Sequence, residues 1–414
     1  MKQVRLKRIK ICRICQSKKL IPIFSIGKQF LSDFSINPQK TQSFPLDLLL
    51  CEDCSLVQLA HSTPPHLLYT ESYGYQSGIN STMKRELKEI TEIAQKIQPL
   101  DKKDLVIDIG ANDGTLLNNY PDYITRIGFE PVKKFSKFQS NKNNIIVSDF
   151  FNYKAYSKQL ANKFDGQKAK IITAISMFYD LEQPNEFIAD ILKLLDKKGV
   201  FIIQQNYLAE MIRQNAFDNI VHEHLEYYTL LSLENLLKKH NLEVFDVLVN
   251  NTNGGSFRTY IGFTGQHKKN LKNLNSMRTK EKEMFLYKKE GYMDFVKKIK
   301  LIKKQLRSFI KNEIKKGKKI YLYGASTRGN TLLQFCSLDN SHIGAAVERN
   351  SEKWGKMFVS VSIPIISEEQ ARKEKPDYML VLPWFFKEEF LEREQKYLKQ
   401  GGHFIFPLPD FEVI

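Results

Sequence analysis

The run LVIDIGANDGTLL, Leu105 to Leu117, constrains this chain most: an apolar strand ends in a polar turn bounded by glycines and leads into a predicted helix. The residues around it alternate in the same way. A helical run over Thr82–Gln98 precedes it, and RIGFEP, NIIVSDF, KIITAISMF and GVFIIQQNY follow with helices between them, one around Phe187–Leu195. Strands alternating with helices imply a parallel sheet with crossover connections. The alternation resumes at Lys319 with KIYLYGAS, a helix TLLQFCSL, HIGAAVER, DYMLVLPW and GGHFIFPLP, a second and smaller α/β unit. At 414 residues the chain has room for two or three cores. The pattern predicts a cysteine-bearing domain over 1–75, a central α/β domain over 76–265, a helical connector over 266–318 and a C-terminal α/β domain over 319–414.

No apolar run approaches the roughly 18–20 residues of a membrane span, and the basic N-terminus lacks the apolar stretch of a secretory signal. A cytoplasmic location is therefore expected. In that setting Cys12-Arg-Ile-Cys15 and Cys51-Glu-Asp-Cys54 indicate metal rather than disulfides. Four thiolates from Cys12, Cys15, Cys51 and Cys54 suit tetrahedral structural zinc and leave no open coordination position for catalysis. His61 and His66 read as loop or packing residues, and Cys336 as a buried thiol.

The formal net charge of +17 comes largely from lysines between Lys268 and Lys319. There Phe285, Tyr292, Phe295, Ile299, Ile302, Leu306 and Ile310 form the apolar stripe of an amphipathic helix. The lysines read as its solvated face, whose field would also attract anionic small molecules such as nucleotide sugars. Basic residues are not interleaved with stacking aromatics, so nucleic acid is not an expected partner, and neither is a membrane.

Gly110 and Gly114 let the turn after the first central strand bend sharply and come close to a ligand, with Asp108, Asn112 and Asp113 as its polar groups. RIGFEP ends in Glu130, which can accept hydrogen bonds from two ribose hydroxyls. After the next strand Asp149 can accept from an adenine amino group, with Phe150 beside the ring. The G-x-G-x-x-G spacing of a nicotinamide site is absent. Two polar side chains between the glycines suit a ligand with a carboxylate and a ribose, S-adenosylmethionine above all, better than a pyrophosphate.

Between Asp218 and Leu230, His222, Glu223, His224, Glu226, Tyr227 and Tyr228 are nearly contiguous. A helix would scatter them, whereas a loop lets two or three face one cleft. The histidines lack the i, i+4 spacing of a helical zinc site. A histidine flanked by a carboxylate suits general base work. NGGSFR, Asn253 to Arg258, reads as a turn joining two strands, in which Arg258 could meet a substrate phosphate. Ser326 and Arg328 at a helix start offer an anion site.

Taken in order, CRIC with CEDCSLVQL, YGYQSG, DIGANDGTLL, HEHLEYYTL, NGGSFR, YGASTRGNTLLQ and GGHFIFPLP resemble the three-domain sugar C-methyltransferases that act on nucleotide-linked 4-keto-deoxysugars. The resemblance runs from about Cys12 to Ile414. It implies a Rossmann-like class I methyltransferase domain flanked by a small N-terminal zinc-binding domain and a C-terminal α/β domain. S-adenosylmethionine would be the methyl donor and a nucleotide sugar the acceptor, held between domains, in a monomer or dimer. It implies that His224 removes a proton from the carbon beside a ketone. Glu223 would orient it or bind a sugar hydroxyl, His222 belongs to the same motif, and Tyr73 and Tyr75 would close over cofactor or sugar. The chain departs from the family at Val221 (tyrosine), Asp180 (histidine) and Asn253 (histidine). Asp180, Asn253, Arg258, Ser326 and Arg328 are accordingly expected on the acceptor side. Two alternatives stand beside this reading: an O-methylated product, and a zinc-containing nucleotide-binding module without catalysis.

Overall fold

The computed structural model describes residues 6–36, 42–69, 75–138, 144–164 and 166–414; Tyr73 lies outside them. Its central sheet has seven strands in the spatial order Leu242–Asn250, Ser256–Phe263, Leu195–Asn206, Ala169–Ile175, Leu105–Ile109, Thr125–Phe129 and Asn144–Val147. The last five are mutually parallel, and Ser256–Phe263 runs antiparallel to both its neighbours. Leu105–Ile109 is buried along its whole length, as a strand covered on both faces must be. Its one acidic residue, Asp108, accepts the Thr173 hydroxyl at 2.6 Å from the neighbouring strand. From Leu105–Ile109 the chain first builds outward on one side and later returns to the other. That reversal opens a crevice beyond the strand's C-terminal end.

The helix Ser81–Ile97 covers one face. Asn80 caps it by accepting from the Thr82 and Met83 amides, and Met83, Leu87, Ile90 and Ala94 form its buried side at helical spacing. The helix expected after Gly114 does not form. Only a short 3-10 turn, Leu117–Asn119, is present. Pro121 follows closely, donates no amide hydrogen and holds Tyr120 in extended geometry.

The two outer sheets borrow strands from distant sequence. The cysteine region is an antiparallel sheet of Leu20–Phe30, Ser43–Cys51 and Val57–Leu59, and its fourth strand is Glu226–Tyr227. The C-terminal sheet has a parallel core of Ile320–Tyr323, Ala346–Glu348, Ile363–Ser367, Tyr378–Val381 and His403–Phe406. At its edge Phe34–Ser35 pairs with Met357–Phe358. Two helices, Leu271–Glu283 and Met293–Lys315, make up the lysine-rich stretch. Tyr292, Phe295, Ile299, Ile302, Leu306 and Ile310 are buried, but Phe285 sits between the helices with positive φ and is exposed, so it drops out of the stripe. Cys336 is buried. No helix among the described residues is long and apolar enough to cross a membrane.

Arg258 does not face a ligand. Its side chain is wholly buried, 2.6 Å from Glu86 and 3.3 Å from Glu89 on the covering helix, and its Nε donates to Gln204 at 2.7 Å. The alternation of the strand turns it onto that helix, so it is a core ion pair and not a phosphate contact. Arg258→Met leaves Glu86 without its counter-charge, which should cost about 3–5 kcal/mol. Urea unfolding checks this; unchanged stability would show that the pair is dispensable.

Candidate active site

A cleft opens at the crevice beyond Leu105–Ile109, lined by Asp108, Gly110, Asn112, Glu130, Phe150, Met177 and Asp180, with Tyr69 and Tyr75 at its rim. Gly110 has positive φ, and an added Cβ would lie 3.2 Å from Met177 Cγ, so the backbone here needs glycine. Glu130 is buried, and its two oxygens accept the Asn112 and Val132 amides, each at 2.8 Å. Each oxygen keeps a lone pair for a ligand hydroxyl, which fits a ribose. Burial raises its pKa above the ordinary carboxylate value, and the two amides oppose this. Burial pushes Asp108 up to about 7, with the charge of Glu130 adding and the Thr173 hydroxyl opposing.

Asn112 and Asp113 bond to neighbouring backbone. Asn112 accepts the Ser77 amide at 3.0 Å and donates to the Tyr75 carbonyl at 3.1 Å, while Asp113 accepts the Gly78 amide at 2.7 Å. Together they tie the segment Tyr75–Gly78 beside the cleft mouth. Asp113 and Gly114 are not among the lining residues. Asp149 is exposed, accepts the Phe150 amide at 2.8 Å and does not line the cleft; Phe150 does, edge-on to Tyr69. Tyr69 and Met177 carry no motif and escape sequence reasoning.

The segment from Phe217 to Tyr228 carries the histidines. His222 is buried, with Nε2 3.3 Å from the Phe44 carbonyl oxygen, and burial lowers its pKa to about 4. It packs the segment onto the cysteine region and does not belong to the chemistry. His224 Nδ1 lies 2.9 Å from the Asn219 carbonyl oxygen. A carbonyl only accepts, so Nδ1 bears the hydrogen and Nε2 keeps its lone pair. The orienting group is thus Asn219 rather than Glu223. Burial pushes His224 down to about 3, which keeps the ring neutral. Its ring sits edge-on to Tyr179, 4.3 Å between centroids. Burial raises Glu223 to about 7 and Glu226 to about 8; Glu226 accepts the Tyr228 hydroxyl at 2.6 Å. Tyr227 and Tyr228 are buried. Asp180, next to Tyr179, accepts the Tyr69 hydroxyl at 2.8 Å. Asp180 lines the cleft and its neighbour Tyr179 packs on His224, which links the histidine to the cleft.

The remaining polar residues join the C-terminal unit to this segment. Arg328 Nε and Nη2 reach the two Asp218 oxygens, each at 3.0 Å, and Trp384 Nε1 donates to Asp218 at 3.1 Å. Arg328 Nη1 donates to the carbonyl of Asn253, which has positive φ. Ser326 caps the helix Thr327–Cys336 by accepting the Gly329 amide at 3.0 Å. The anion reading of Ser326 and Arg328 gives way, since both are engaged within the protein, and Asn253 enters through its backbone.

Cys12 and Cys54 place their Sγ atoms 3.5 Å apart, Cys15 and Cys51 3.4 Å, and all four lie within 4.8 Å of one another. A tetrahedron of sulfurs about 2.3 Å from zinc has edges of about 3.8 Å. The four cysteines fit zinc. His61 is not part of the cluster; it lies 3.8 Å from Asp47.

Three family profiles match the chain in order: a zinc binding domain at 12–69, a methyltransferase domain at 79–247 and a C-methyltransferase C-terminal domain at 251–409. C-methyltransferase NovU of Streptomyces niveus is 26% identical over 408 residues, 97% of this chain and 96% of that protein. Among solved structures, an S-adenosylmethionine-dependent methyltransferase from Clostridium acetobutylicum ATCC 824 aligns with TM-score 0.34 and 11% identity over 44% of this chain and 92% of its own. N-methyltransferase NodS of Bradyrhizobium japonicum WM9 gives 0.33 and 9% over 44% and 97%. No weight rests on structural likeness this low. Glu130→Ala should weaken S-adenosylhomocysteine binding by about 1.5–3 kcal/mol in calorimetry, the loss of a hydrogen bond to a charged group. Unchanged affinity would remove Glu130 from the ligand contacts.

Proposed function

We propose that this chain, an S-adenosylmethionine-dependent methyltransferase with the three domains of the C-methyltransferases, methylates the carbon beside the ketone of a nucleotide-linked 4-keto sugar, with His224 as the base. The observation that carries this reading is the His224–Asn219 hydrogen bond beside the cleft. It leaves Nε2 as a neutral acceptor that cannot rotate away without losing its bond. A ketone acidifies the adjacent C–H, so removal of that proton places an electron pair on carbon, shared with the keto oxygen. When bound, S-adenosylmethionine supplies a methyl group on positively charged sulfur. Glu130 and Gly110 are the residues suited to hold its ribose and backbone side, and Asp108 stands nearby as a second carboxyl. His224 packs on Tyr179, the neighbour of cleft-lining Asp180, and in this reading both reactants are held at near-attack distance. Such positioning supplies much of the rate in a bimolecular step.

In deuterated water the enzyme should exchange the proton beside the ketone of a UDP- or dTDP-linked 4-keto-6-deoxyhexose. His224→Asn should slow this by about 10²–10⁴-fold, the usual contribution of a positioned base, while S-adenosylhomocysteine affinity is retained. Exchange unaltered in the variant would acquit His224, and no exchange by the wild type on any such sugar would tell against carbon chemistry.

A further inference from the structure

The cleft carries a carboxyl group to which the mechanism above gives no work. Asp180 ends the short turn Phe178–Asp180, just after the strand Ala169–Ile175. Its Oδ2 accepts the Tyr69 hydroxyl. Its Oδ1 is buried and has no hydrogen-bond partner among the described residues, although the residue lines the cleft. Buried polar atoms are nearly always paired, so an exception inside a cleft marks a bond left for a ligand to make. Tyr179, the preceding residue, packs its ring against His224. Tyr179 thus links the residue that carries the free oxygen to the base.

We propose that Asp180 is the hydrogen-bond donor that stabilises the enolate: its Oδ1–H holds the keto oxygen while His224 Nε2 takes the proton from the neighbouring carbon. This rests on the function proposed above. Tyr69 decides which oxygen carries the proton, because a phenol donating to Oδ2 leaves that atom as the acceptor and Oδ1 as the hydroxyl. Burial, with the carboxyls of Glu223 and Glu226 adding, pushes Asp180 well above the ordinary carboxylate range, against the hydrogen bond from Tyr69. The shift favours the protonated form, which can donate.

The electrons balance without any further reactant. The C–H pair becomes the C=C bond, and the carbonyl π pair moves onto oxygen, whose charge the Asp180 hydroxyl stabilises. When the enolate carbon accepts the methyl group, the C=C pair forms the new C–C bond and the oxygen pair restores C=O. The proton on His224 passes to solvent, and the donor leaves as a neutral thioether.

The test compares Asp180→Asn, Asp180→Ala and Asp180→Leu in the full chain. Deuterium exchange into the UDP- and dTDP-linked 4-keto-6-deoxyhexoses is read beside S-adenosylhomocysteine affinity and melting temperature. Asparagine is isosteric: its oxygen can accept from Tyr69 while its NH2 donates where Oδ1–H did. Exchange should stay within about tenfold of wild type in Asp180→Asn, and fall about 10²–10³-fold in the alanine and leucine variants, the usual loss on removing one oxyanion donor. Leucine keeps volume, so the comparison survives if alanine opens a cavity that unfolds the turn. Asp180→Asn as slow as Asp180→Leu, with affinity and melting intact, would mean that this oxygen accepts rather than donates, and would overturn the proposal. So would full exchange in either apolar variant. A wild type inert on every keto sugar would bring down the proposed function itself, a different result from active wild type with equal variants.

Discussion

A two-residue strand holds the site together. Glu226 and Tyr227 pair with Gln58 and Val57, and the Leu59 amide donates to the Leu225 carbonyl at 2.8 Å, so the end of the histidine segment is the fourth strand of the cysteine region's sheet. His222 reinforces the join at Phe44. The other end, Phe217–Asn219, is held from the opposite side. Arg328 and Trp384 grip Asp218, and Asn206 donates to the Asn219 side chain at 2.8 Å. A loop anchored at both ends can present His224 to a cleft without a helix beneath it. Zinc matters to the chemistry at one remove, since it closes the domain on which that strand is laid.

Burial disfavours ionised carboxyls in and near the cleft. Asp108, Glu130, Asp180 and Glu223 are each raised by burial. Near-neutral acids are useful beside a carbon that must lose a proton, whereas Glu130 is different in kind. Its two amide hydrogen bonds favour the ionised form and fix its oxygens toward the crevice. In the proposed function Glu130 binds a polar ligand, while Asp108 and Asp180, for which no backbone amide opposes the upward shift, are the more readily protonated groups.

Features written in local pattern were legible in the sequence. The alternation of strands and helices, the paired C-x-x-C motifs and Glu130 at a strand end depend on spacing alone, and all appear in the structure. Residues whose partners lie far away were not legible. Arg258 looked free because Glu86 sits some 170 positions earlier, on a helix that only the folded sheet brings near. His222 looked catalytic because Phe44 lies in another domain. Asp113 looked like a ligand contact because its partner is the plain backbone amide of Gly78. Arg328 looked like a phosphate site until Asp218 was seen to occupy it. The exchange of short strands between sheets, two residues each, is too brief to leave a periodic signal.

The central claim is that the protein makes a carbon–carbon bond, and the structure of its product tests that most directly. With a methyl-¹³C-labelled donor and a 4-keto sugar nucleotide, NMR should show the labelled methyl bonded to the ring carbon beside the ketone, with a direct carbon–carbon correlation. A labelled methyl attached through oxygen would contradict the account, whatever the affinity for the donor.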